Sequence, residues 1–161
     1  MKRYGCLFFV FLFICVGNVF SQNTTYEVGG VGPGGGLVFA VEGPFVYEVS
    51  RILGEGTWAQ AVNIAKNYRG GDFTDWYLPS RTELSLVYSS IVEGKQIPLG
   101  SVPFWTSSEA GMGTFGGGKQ EPVAYWINFG KDSHFGNGYA MERRKTDVAA
   151  VRAIRMSTIR K

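Results

Sequence analysis

The sequence predicts an α+β domain in which two helices are segregated from a mostly antiparallel sheet. Three observations lead there. Residues 37–41 and 45–49 read as strands on either side of a Glu42-Gly43-Pro44 turn. Two capping boxes, Thr57 with Gln60 and Ser80 with Glu83, each open a run of apolar residues at helical spacing. After Gly94 the helical period is gone, and residues 104–108, 123–129 and 148–155 read as strands.

Taken in order, the chain of 161 residues opens on Lys2 and Arg3, followed by an apolar run from Cys6 to Val16. Val19 and Ser21 then stand at −3 and −1 of a cleavage site, so residues 1–21 are expected to be a secretory signal peptide. The run is too short for a stable spanning helix. Cys15 is a lipidation candidate only if Ile14 is tolerated where a small residue is usual. Residues 22–161 then form one domain, enough to bury roughly two thirds of its surface. Both cysteines, Cys6 and Cys15, fall in the leader. The expected mature chain therefore has no disulfide, thiolate metal site or cysteine nucleophile. It carries fourteen basic and thirteen acidic residues. Seven of the basic residues and two of the acidic ones crowd into positions 142–161, a basic end able to meet a polyanion. The simpler reading of that end is a strand with one solvated face and a frayed tail.

Gly29 to Gly36 is a glycine-rich entry to the first strand. Trp58, Ala61, Val62, Ala65 and Tyr68 give the first helix one apolar face, and Gly70-Gly71 ends it. Pro79 turns the chain before Ser80. Leu84, Val87, Tyr88 and Ile91 then line a second helix of about three turns, with Gly94 as its end. Residues 111–118 are expected to be a flexible loop, Gly130-Lys131-Asp132 a turn and residues 134–139 a loop. Residues 148–155 form the last strand, with Arg152 on its polar side. Trp58, Trp76, Trp105 and Trp126 all fall in patterned elements and are expected in the core.

Motifs for chemistry are incomplete. Gly30-x-Gly32-x-x-Gly35 has the dinucleotide spacing, but a strand follows it where a helix is required. Gly113 to Gly118-Lys119 approaches a phosphate loop, but Gln120 replaces the magnesium-binding hydroxyl and no helix follows. Asp72 and Asp75 bracket a turn and could offer oxygen to calcium; Asp75 is expected to bond local backbone instead. His134 is the only histidine, so no triad or histidine metal site can form around it.

Several of these pieces stand in one order: Trp58 with Ala61, Asp75-Trp76-Tyr77-Leu78-Pro79-Ser80 with Glu83-Leu84, and Phe104-Trp105-Thr106-Ser107-Ser108-Glu109. They continue in Ala124-Tyr125-Trp126-Ile127-Asn128-Phe129 and Val151-Arg152-Ala153-Ile154-Arg155. In this the chain resembles the DUF1566 family, also called the Lcl C-terminal domain family after a collagen-like adhesin. The resemblance covers essentially the whole mature chain. Tyr77 stands where arginine is usual and Ala153 where cysteine is usual, so any family disulfide is missing. The resemblance implies a C-type-lectin-like fold, with two helices between N- and C-terminal strands. It implies that the first and last strands pair. It also implies a binding surface on loops, here 111–120 and 131–139.

The function expected from these readings is an exported, non-enzymatic binding module, without cofactor or metal, in the periplasm, on the outer surface or secreted. Its ligand would be a polyanionic glycan or another host or envelope component. Candidate contacts are Lys131, His134, Asn137, Tyr139 and the cluster Arg143-Arg144-Lys145. Neither nucleic acid nor a transmembrane span of the mature chain is expected. Two other readings stand beside it. One is a structural subunit of the cell envelope that oligomerises through a sheet edge. The other is a hydrolase working with carboxylates alone.

Overall fold

A computed structural model of the chain describes residues 25–130 and 138–159. The expected leader 1–21, and Lys131, His134 and Asn137, lie outside the described residues. Along the chain run β1 (Leu37–Glu42), β2 (Phe45–Val49), β3 (Gly54–Gly56), α1 (Trp58–Asn67) and α2 (Arg81–Val87). β4 (Pro103–Phe115), β5 (Lys119–Asn128), β6 (Ala140–Arg144), β7 (Ala149–Val151) and β8 (Ile154–Thr158) follow. This is the expected α+β class, with helices between N- and C-terminal strands and strand pairing antiparallel except between β4 and β7.

The strands form two sheets, one ordered β1-β2-β8 and one ordered β3-β7-β4-β5-β6. Alternation along the five-stranded sheet separates two cores, because successive side chains point to opposite faces. Phe104, Ile127 and Ala150 join Leu84, Val87 and Ile91 of the second helix, and Phe39, Val49 and Ile154 of the small sheet. Their neighbours Trp105, Ala124, Ala149 and Val151 face the other way, onto Ala61 and Ala65 of α1. The small residues on α1 let its backbone approach the sheet.

Both helix starts behave as read. Ser80 Oγ accepts from the Glu83 N–H at 3.3 Å, and Glu83 Oε2 accepts from the Ser80 N–H at 2.8 Å. Gln60 Oε1 accepts from the Thr57 N–H at 2.9 Å. The second helix loosens into a π-helical turn over Tyr88–Glu93 before Gly94.

Four expectations need correction. Residues 111–118 are no loop: β4 continues to Phe115 and pairs with β5 down to Lys119, leaving only Gly116–Gly118 as the turn. The glycines that suggested a loop serve the ribbon. Gly111 takes φ +84 at a register shift, and a Cβ on Gly113 would lie 2.8 Å from Val123. The first and last strands do not pair; β2 lies between β1 and β8. Residues 148–155 are not one strand, since β7 and β8 belong to different sheets and the chain crosses between them at Arg152-Ala153. Finally, neither Arg152 nor Arg155 sits on a solvated face: they are 6% and 3% exposed. Arg152 donates to the Ser50 and Leu99 carbonyls. Burial lowers its pKa to about 10.

Arg155 has the larger role. Its Nη1 donates to Glu48 Oε1 at 2.6 Å, and Glu48 is wholly buried. The remaining lone pairs of that carboxylate are filled by the glycine-rich entry. Gly34 N–H donates to Oε1 at 2.9 Å and Gly36 N–H to Oε2 at 2.9 Å. Here the glycines are needed for close approach: a Cβ on Gly34 would lie 2.7 Å from Trp76 and 3.0 Å from Glu48 Oε1.

Breaking this buried pair from one side should be severe. Glu48→Gln or Arg155→Met alone is expected to lower unfolding free energy by about 3–5 kcal/mol, and the double variant by less than the sum. Urea denaturation reads all three; single losses near zero would remove the pair from the fold's supports. Ser80→Ala should cost only about 1 kcal/mol by the same assay.

Candidate ligand-binding face

The sheet's β5–β6 end is where exposed chemistry collects. β6 is an edge strand, pairing Ala124 with Arg143 and Trp126 with Met141. On one face of the sheet α1 packs chiefly over β3, β7 and β4. The β5–β6 end of that face is left to side chains. Trp126 and Arg143 are both half-buried there.

Of the expected basic cluster, Arg143 and Arg144 end β6 and Lys145 opens the turn after it, and alternation splits them. Arg143 and Lys145 point to the α1 face, and Arg144 points to the other. Arg144 lies 4.3 Å from the Phe115 ring and 3.6 Å from Glu121 Oε2. Glu121 also pairs with Lys119 at 3.1 Å. Lys145 sits 4.0 Å over the Trp58 ring and pairs with Glu109. Its carbonyl accepts the Trp58 N–H at 3.0 Å, at the start of α1. Arg143 differs. Its Cζ lies 4.8 Å from the Trp126 ring centroid, and among the described residues it has no carboxylate partner. Tyr139, the remaining described candidate, is 68% exposed just before β6.

The tryptophans divide in two. Trp76 and Trp105 are buried, as expected, and their indole N–H groups donate to Gly70 and Gly56 carbonyls at 3.0 and 2.9 Å. Trp58 and Trp126 are only half-buried. Trp58 Nε1 donates to the Thr106 carbonyl at 2.9 Å, whereas Trp126 Nε1 is shielded from solvent and has no acceptor. The apolar strand pattern places Trp126 in the core, whereas the structure leaves it half-buried. The alternation of Ala124-Tyr125-Trp126-Ile127 could have flagged it only with β6 in place, and residues 140–144 carry no strand pattern that announces itself.

Asp75 is also reassigned. It accepts from Arg155 Nε at 2.8 Å and from Nη2 at 3.1 Å, a bidentate pair that outweighs its local backbone bond. These hydrogen bonds hold its carboxyl below its ordinary value of 3.8. Burial works against the charge of Arg155, but Asp75 and Glu48 outweigh it and raise its pKa. Asp75 is thus committed to holding Arg155, and among the described residues no group of three or more His, Cys, Asp or Glu gathers. A cavity of about 210 Å³ opens elsewhere, between Val92, Gln96, Leu99 and Phe129, with no ionisable side chain among the described residues of its wall.

No family model matches the chain, and no curated protein matches it either. The solved structures to which it is similar are C-type-lectin-like, the fold class expected from the sequence. EMS16, an antagonist of the collagen receptor integrin alpha2beta1, has 12% identity and a TM-score of 0.45, with 71% of this chain and 94% of that one covered. Botrocetin has 10% identity and a TM-score of 0.43, over 75% and 96%. The C-type lectin CEL-I from Cucumaria echinata has 14% identity and a TM-score of 0.40, over 73% and 94%. Likenesses this distant carry nothing about the ligand of this chain. No helix among the described residues is long and apolar enough to cross a membrane.

The Asp75–Arg155 pair predicts an acid limb. A depressed carboxylate adds stability that is complete above its unfolded value and lost as pH falls through the lower folded one. The urea midpoint should therefore fall with acidification below about pH 5. Asp75→Asn should lower it at neutral pH and flatten that fall. An unchanged acid limb in Asp75→Asn would show that other groups control it.

Proposed function

We propose that the chain is an exported, non-enzymatic binding module of the DUF1566 or Lcl C-terminal type, and that it recognises an acidic glycan at the β5–β6 end of its sheet. The observation that carries this reading is the half-buried Trp126–Arg143 stack on a sheet face that α1 does not cover. Aromatic faces and stacked guanidinium groups suit saccharides with anionic substituents. The platform is rigid: Trp126 contacts the buried Trp105 at 5.7 Å, and Lys145 is tied to the start of α1. The leader, the motif order and the basic edge strand support the same reading. Tyr139, exposed just before β6, borders this end.

A second reading, envelope assembly through a sheet edge, draws on β4. Residues 110–118 carry no charge, and β7 pairs with β4 only at Phe104. That leaves the outer edge of the ribbon without the charges that usually block edge pairing. Light scattering over a range of concentrations separates the two readings.

The test of the binding reading is a panel of neutral, carboxylated and sulfated glycans, with and without calcium. The mature chain is expected to retain acidic glycans, and an Arg143→Ala/Arg144→Ala/Lys145→Ala variant to lose them. A blank panel with the folded chain would overturn the binding reading.

A further inference from the structure

We infer that Arg143 alone of the basic cluster receives the ligand, and that it takes a single carboxylate of an acidic sugar rather than a dense run of sulfates. This deepens the binding reading and rests on it. The first argument is charge. Lys145 faces Glu109, and Arg144 faces Glu121, so two of the three cations are already neutralised. Among the described residues Arg143 has no carboxylate within ion-pair distance. A polysulfate gains affinity by meeting many free cations at once. Among the described residues of this cluster Arg143 alone is left unpaired, so a second anionic group would find no free cation beside it.

The second argument is geometry. Arg143 Cζ lies 4.8 Å from the Trp126 ring centroid, and its planar guanidinium carries its N–H donors as a fork in one plane. A planar carboxylate fits that fork with two parallel bonds. The stack also restricts Arg143 before any ligand arrives, so less side-chain freedom is lost on binding. Met141, half-buried and two residues earlier on the same strand face, provides apolar surface beside the fork for the sugar ring.

The experiment uses the folded mature chain and three polymers: hyaluronan, with carboxylates and no sulfate; dextran sulfate, with sulfates and no carboxylate; and neutral dextran. Binding is followed by tryptophan fluorescence and by titration calorimetry. Hyaluronan should bind, with dextran sulfate weaker and dextran silent. Arg143→Ala should weaken hyaluronan binding about tenfold or more, the scale of a lost charge-assisted hydrogen bond. Arg143→Lys keeps the charge without the fork, and should lose nearly as much. Arg144→Ala should stay within about twofold, since it faces the other side of the sheet. Near-ultraviolet circular dichroism confirms that each variant is folded. Equal losses in Arg143→Ala and Arg144→Ala, full rescue by Arg143→Lys, or tighter binding of dextran sulfate would overturn the inference while leaving a binding module. A wild-type chain that binds none of the three and no acidic glycan of the panel would overturn both.

Discussion

The buried carboxylate of Glu48 is the constraint on which the rest depends. A wholly buried anion is tolerable only when its oxygens are paired and hydrogen-bonded. Here the partners come from two distant parts of the chain: the glycine-rich entry at Gly34 and Gly36, and Arg155 on β8. Arg155 in turn reaches out to Asp75 and lies 3.6 Å from the Phe73 ring. One ion pair thereby sets the packing of the N-terminal loop, fixes β8 against β2 and positions the segment that leads into Trp76. Since Trp76 is buried against Tyr68 at the end of α1, the same pair also bears on where α1 ends.

Local code was legible in the sequence where it acts locally. The Ser80–Glu83 box, the β1–β2 turn and the apolar face of the second helix all rest on neighbours within a few residues. What stayed hidden depends on distance. Nothing near Arg155 in the chain announces a carboxylate 107 residues away. An arginine in an alternating strand therefore read as solvated. The glycines at 111–118 misled for a related reason. Glycine marks both loops and bulged, closely approached strands, and only the partner strand shows which. The capped helices were right because a capping box is its own context.

The candidate face was half visible for the same reason. Arg143, Arg144 and Lys145 stood out as a cluster, yet sequence adjacency in a strand separates side chains rather than uniting them. Once β6 is in place, Glu109 and Glu121 divide the cluster further, and Trp126 emerges as the neighbour that distinguishes Arg143. Lys131, His134 and Asn137 lie outside the described residues, so the face is drawn from β5, β6 and the start of α1 alone.

The span of the Glu48–Arg155 pair also says something about when this fold can exist. A chain emerging from its N-terminus holds Glu48 and the glycine loop long before it holds Arg155, and β2 has only one of its two neighbours until β8 arrives. Contacts of such long separation slow folding, because loop entropy must be lost before they reward it. The native state is closed only by its last strand. A chain so built stays open until β8 has joined β2.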